Sequence, residues 1–172
     1  MNILVLWVCV LGFASFNLAE HEIKRQLKNE ISNIEDNIET CLTENNVTRD
    51  DLYEEEQLVN DVYKEPENVE RTRRLGCTIA CVFKKENLME DSNIKERKIH
   101  SRINRIHVNY QGKGLMHKIA RDCMKEVRNI TEECEKCFSL IACGAKTIHR
   151  LAEHEEHEIL DINENEETET EN

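Results

Sequence analysis

One proline and five glycines in 172 residues leave little material for turns built on either residue. There is no Asn-Gly or Asp-Gly dipeptide and no sustained alternation of apolar and polar residues, which argues against a hairpin-rich β fold. Aromatic residues are 5% of the chain and charged residues 34%, so any core must be lean. Beyond an apolar run at residues 3–16, nothing approaches the ~20 residues of a membrane span. A glycine-rich phosphate loop and a Gly-X-Ser-X-Gly elbow are both missing. The stretch His154-Glu-Glu-His157 spaces its histidines three apart, where a zincin-type site needs four. No residue stands out as catalytic or metal-ligating and no cofactor is implied, so the chain reads as non-enzymatic.

Residues 1–19 combine the apolar run with Ala19 at a cleavage position and read as a secretory signal peptide. A secreted, extracellular protein folds where cysteines pair, and its Asn-X-Thr sequons are open to glycosylation at Asn46 and Asn129. The net charge of −12 is unevenly placed: residues 151–172 carry ten acids and no Lys or Arg, whereas residues 20–150 carry 25 acids against 23 bases. The first segment reads as an acidic, disordered tail, extended at neutral pH, and the second as a nearly neutral helical ligand-binding domain. Such a charge balance suits neither nucleic acid nor an anionic membrane as partner.

Helical periodicity dominates residues 20–150. Ile23, Leu27, Ile31, Ile34, Ile38 and Leu42 recur every three or four positions. Thr48 to Asp51 has the form of a capping box, opening a second helix through Leu52, Val59, Val62 and Tyr63 that Pro66 stops. A third helix runs from Val69 to Phe83. Asp91 or Ser92 caps a fourth with the face Ile99, Ile103 and Ile106, which Gly112 and Gly114 end. Leu115, Met116, Ile119, Ala120, Cys123, Met124 and Val127 mark a fifth, and residues 131–149 a sixth. The expected class is all-α, with about six helices around a hydrophobic cavity.

Cysteine spacing is the most specific signal. Cys9 leaves with the leader, and seven of the eight cysteines remain. Cys77 and Cys81, four apart, share one helix face and can hold two partners, while Cys134 and Cys143 lie on opposite sides of the sixth helix. Six cysteines still allow fifteen pairings. With Cys137 set aside, the chain reads C-x35-C-x3-C-x41-C-x10-C-x8-C through Cys41, Cys77, Cys81, Cys123, Cys134 and Cys143. In its three- and eight-residue gaps the chain resembles the insect odorant-binding and pheromone-binding proteins. CTIACVFKKENLM and CMKEVRNITEECEKCFSLIAC look especially like the ant pheromone-binding members.

That resemblance implies three interlocked disulfides, Cys41–Cys81, Cys77–Cys134 and Cys123–Cys143. Loops of this size contribute about 3 to 4 kcal/mol each in the chain-entropy picture. It also implies a carrier that takes small hydrophobic ligands, odorants or pheromones, through aqueous lymph towards an odorant receptor. Phe83, Leu115, Ile119, Phe138, Ile141 and Ile148 are the candidate ligand contacts, although each also suits a filled core. Cys137 lies outside the family pattern. It reads as a buried thiol, as the link of a disulfide-bonded homodimer, or as a source of mispairing. The competing function is a secreted interaction protein with a filled core that displays the acidic tail.

Overall fold

The computed structural model describes residues 34–106 and 109–169 and the isolated positions 25, 28 and 32; for residues 110 and 153–169 it describes the backbone alone. The expected signal peptide, and the apolar positions Ile23, Leu27 and Ile31, lie outside the described residues. Among the described residues six α-helices carry the fold: α1 (Glu35–Glu44), α2 (Glu55–Val59), α3 (Val69–Lys85), α4 (Glu96–Arg105), α5 (Tyr110–Glu126) and α6 (Glu133–Glu169). All six cysteines of the frame pair as the resemblance implies. Cys41–Cys81 ties α1 to α3, Cys77–Cys134 ties α3 to α6, and Cys123–Cys143 ties α5 to α6. Helix α6 is therefore held on two sides, and it packs against α2, α3 and α5.

With glycine scarce, asparagine and aspartate take over the left-handed backbone positions. Among the described residues, every non-glycine with positive φ is one of these two: Asn46, Asp61, Asn87 and Asp91. Helix α1 ends in a Schellman motif: Val47 N–H donates to Leu42 C=O at 2.9 Å, and Asn46 N–H to Thr43 C=O at 3.2 Å. Leu42 and Val47 then pack in the same core cluster. Helix α3 ends the same way, with Asn87 left-handed and Leu88 N–H donating to Phe83 C=O at 2.7 Å.

Three local expectations are corrected. The long second helix is broken into a 3-10 turn (Arg49–Asp51), α2, and two further 3-10 turns (Val62–Lys64 and Pro66–Asn68). The Thr48–Asp51 capping box exists, with Thr48 N–H donating to Asp51 Oδ2 at 2.8 Å, but it caps a single turn. Asp61, at φ 60°, then ends α2 after five residues. Asp91 and Ser92 do not cap α4. They form the two-residue loop of a short antiparallel hairpin, β1 (Met89–Glu90) with β2 (Asn93–Ile94). Gly112 and Gly114 do not end a helix but lie in the first turns of α5, where Asn109 accepts from Gly112 N–H at 2.7 Å as the N-cap.

The backbone of α6 runs from Glu133 to Glu169 and so carries the helix into the acidic segment. Glutamate is a good helix former, and elongating an existing helix avoids the cost of nucleation.

The core is lean and divided. Leu42, Val47, Leu75, Phe138 and Ala142 form one cluster; Ile103, Ile106 and Met116 join α4 to α5. Ile119, Cys123, Val127 and Leu140 form a third, with Phe83, Leu115 and Ile148 packed against it. Ala80, Met89 and Cys137 form the fourth. Cys137 is 0% exposed, with its Sγ 3.4 Å from Met89 Sδ, and burial pushes its thiol pKa up to about 12. Of the three readings of this residue, the structure has the buried thiol. The native protein is accordingly expected to run as a monomer on a non-reducing gel and to react with a thiol reagent only after denaturation. Rapid labelling of the folded protein would contradict the packing.

Candidate functional site

A cleft of ≈ 790 Å³ lies between the Val62–Lys64 turn, the first half of α3, the end of α5 and α6. Its apolar lining comes from Tyr63, Val69, Val127, Ile130 and Phe138. Two features of the chain place these side chains. Left-handed Asp61 turns the backbone so that Tyr63 meets α6, and Gly76 lets α3 approach α6 so closely that any Cβ there would lie 2.2 Å from Cys134 O. Phe138 is thereby drawn into an aromatic trio, with its ring centroid 5.1 Å from Tyr63 and 5.8 Å from Tyr53. Tyr53 Oη and Thr72 Oγ1 are 2.8 Å apart, and Thr72 Oγ1 donates to Tyr63 C=O at 3.0 Å. The trio is thus fixed at its polar ends as well as by packing.

The rim is charged. Lys146 forms an ion pair with Asp61, which Lys64 also reaches at 2.9 Å, and Lys146 Nζ lies 5.1 Å from the Tyr63 ring centroid. The hydrogen bond from Lys146, followed by that from Lys64, holds the Asp61 carboxyl well below the ordinary carboxylate range. Because its folded-state pKa is depressed, Asp61 adds stability above the unfolded pKa of ~3.9 and loses it as pH falls further. The rim therefore stays paired at neutral and mildly acidic pH. The cleft thus has an apolar floor and a charged rim, to which Glu126, Glu132 and Glu135 also contribute. It can exclude water from an apolar molecule. The cluster of Cys41, Glu44 and Cys81 offers no metal site either, since the two sulfurs are bonded to each other.

The sequence-derived ligand contacts separate into three groups. Phe138 lines the cleft. Phe83, Leu115, Ile119 and Ile148 pack in the third cluster, next to Val127, which lines the cleft from its other side. Ile141 is 44% exposed and lines neither. Tyr63, Val69 and Ile130 were missed. They fall in a broken segment, at a helix start and in an interhelix turn, where no helical period applies. The proximity of Tyr63 to Pro66 was the one available sign of a turn.

Comparison with known proteins agrees with this architecture. The PBP/GOBP family model matches residues 23–147. Pheromone-binding protein Gp-9 of Solenopsis nigella gensterblumi is 25% identical over 143 residues, covering 83% of this chain and 90% of that protein. The Gp-9 proteins of Solenopsis xyloni and Solenopsis geminata are 24% identical over the same coverage. No solved structure matches. With six helices, the interlocked frame of three disulfides and a family match over most of its length, the chain belongs to the PBP/GOBP family.

Proposed function

We propose that the protein is a secreted, non-enzymatic carrier that binds a small hydrophobic molecule, of the odorant or pheromone kind, and moves it through aqueous fluid towards a receptor. The observation that carries this reading is the ≈ 790 Å³ cleft floored by Val69, Val127, Ile130 and Phe138, in a chain whose relatives are named pheromone-binding proteins. Its volume falls within the ~300–1,000 Å³ range of small-molecule sites. In this reading Phe138 touches the ligand, and Leu115, Ile119, Phe83 and Ile148 form the apolar backing behind Val127. Among the described residues no helix is long and apolar enough to cross a membrane. Displacement of an environment-sensitive apolar fluorophore by a panel of volatile alcohols, esters and terpenes tests the proposal. Saturable binding that members of the panel displace supports it; failure of the fluorophore to bind at all would favour the filled-core interaction protein.

Export as proposed would also expose the sequons to the glycosylation machinery. Asn46 and Asn129 are both exposed. Thr48 is engaged through Oγ1 with Asp51 at 3.0 Å, and Asn46 holds the left-handed position of the α1 cap. Asn129 sits in the turn between α5 and α6 with no such duty, so it is the expected acceptor. Glycosidase treatment of protein secreted from insect cells should lower its mass, and an unchanged mass would count against modification at either site.

A further inference from the structure

A second cleft, of ≈ 440 Å³, lies between β2, the last part of α5 and α6. Four cations line it. Arg121, Lys125 and Arg128 follow one another at spacings of four and three and so form a single stripe along α5 and the turn after it. Lys136 comes from α6; it is only 8% exposed, and its Nζ donates to Ser92 C=O at 2.9 Å. Among the described residues, none of the four has a carboxylate partner. The one acid on the cleft, Glu96, lies 3.6 Å from His100 Nε2.

In a chain of net charge −12, four cations gathered around a cleft that holds one acid need a reason. Cations near the end of α5 complement its helix dipole, which explains part of the stripe. Lys136 has no such reason. It lies in the first turn of α6, at the positive end of that dipole, and is nearly buried with one neutral acceptor for its three donors. Such burial is unfavourable unless something anionic completes it. The apolar part of the lining comes from Ile94, Met124 and Val127, and Asn93 adds a neutral polar side chain.

We propose that this cleft binds a small anionic amphiphile, with a carboxylate or phosphate head between Arg121, Lys125, Arg128 and Lys136 and a short alkyl portion against Ile94, Met124 and Val127. The site is distinct from the Phe138 cleft, though Val127 lines both. Binding there does not depend on whether neutral ligands are carried.

Calorimetric titration of the mature full chain at pH 7 and low salt, with decanoate, decyl phosphate, decanol and inorganic phosphate below micellar concentrations, tests the proposal. At least one of the two anionic amphiphiles should bind tenfold or more tighter than both decanol and inorganic phosphate, and the tighter one identifies the preferred head. The triple variant Arg121→Gln, Lys125→Gln, Arg128→Gln should lose tenfold or more of that affinity while its melting temperature holds, and Lys136→Met should lose a similar factor. Decanol binding as tightly as the anions would overturn the proposal, as would inorganic phosphate matching decyl phosphate or the triple variant keeping full affinity. Failure of neutral ligands to bind anywhere would sink the carrier reading alone, because the comparison here is between anions and between cleft variants.

Discussion

Replacing Gly76 with alanine is expected to lower the melting temperature by about 10 °C or more, from a loss of about 3 kcal/mol. The new Cβ would lie 2.2 Å from Cys134 O, 2.8 Å from Cys134 C and 3.2 Å from Phe138 Cβ. Two of those three contacts are with backbone, which no rotamer change relieves, so α3 and α6 must separate. The Cys77–Cys134 bridge resists that movement, because it holds the two Cα atoms 4.3 Å apart. Overpacking and crosslink therefore oppose each other at one point. Gly144, also in α6, has nothing within 4 Å of its Cβ position. Gly144→Ala should be neutral or stabilising by up to about 1 kcal/mol through helix propensity. Thermal unfolding of both variants with the disulfides intact gives the contrast. A melting temperature for Gly76→Ala within about 2 °C of the parent would show that the helices are not in the close contact described.

Phe138→Ala is the second large effect. Phe138 is 6% exposed, packs with Leu42, Val47, Leu75 and Ala142, and meets the Tyr53 ring edge-on and the Tyr63 ring at a tilt. Truncating a buried phenylalanine costs about 3–5 kcal/mol. The same substitution removes the deepest aromatic surface of the cleft, so apolar ligand affinity should fall about tenfold. Two readouts separate packing from binding. Phe138→Leu, which keeps much of the volume, should recover most of the stability but less of the affinity, because the aromatic contacts are lost. Ile141→Ala serves as the control: at 44% exposure and outside the cleft, it should change both by little. Equal effects of Phe138→Ala and Ile141→Ala on ligand affinity would rule out the assigned floor.

The parts of the fold that repeat regularly were legible in the sequence. Helices α3 and α5 lie within a few residues of where their apolar spacing puts them, and the cystine frame has the pairing that the resemblance implied. What escaped depends on single backbone conformations. Asp61 and Asp91 adopt left-handed geometry that their side chains tolerate but do not dictate; one breaks a helix and the other turns a hairpin. In a chain so poor in glycine, these turns carry no strong signal beforehand. The cleft was illegible for a related reason. Periodicity marks Phe138 as inward-facing but does not say whether it meets another side chain or a space. That outcome was set by Tyr63, Val69 and Ile130, contributed by segments without a helical period.

The carrier function requires the floor of the Phe138 cleft to be a ligand surface. Methyl-resolved NMR of the secreted protein, titrated with an apolar ligand that displaces the fluorophore, tests this directly. Saturable shifts are expected at the methyl groups of Val69, Val127 and Ile130, with smaller ones at Ile119 and Leu115 behind them, while the methyls of Ile103 and Ile106 between α4 and α5 stay in place. Shifts confined to the Ile103 and Ile106 cluster, or saturable binding that leaves Val69 and Ile130 unmoved, would contradict it.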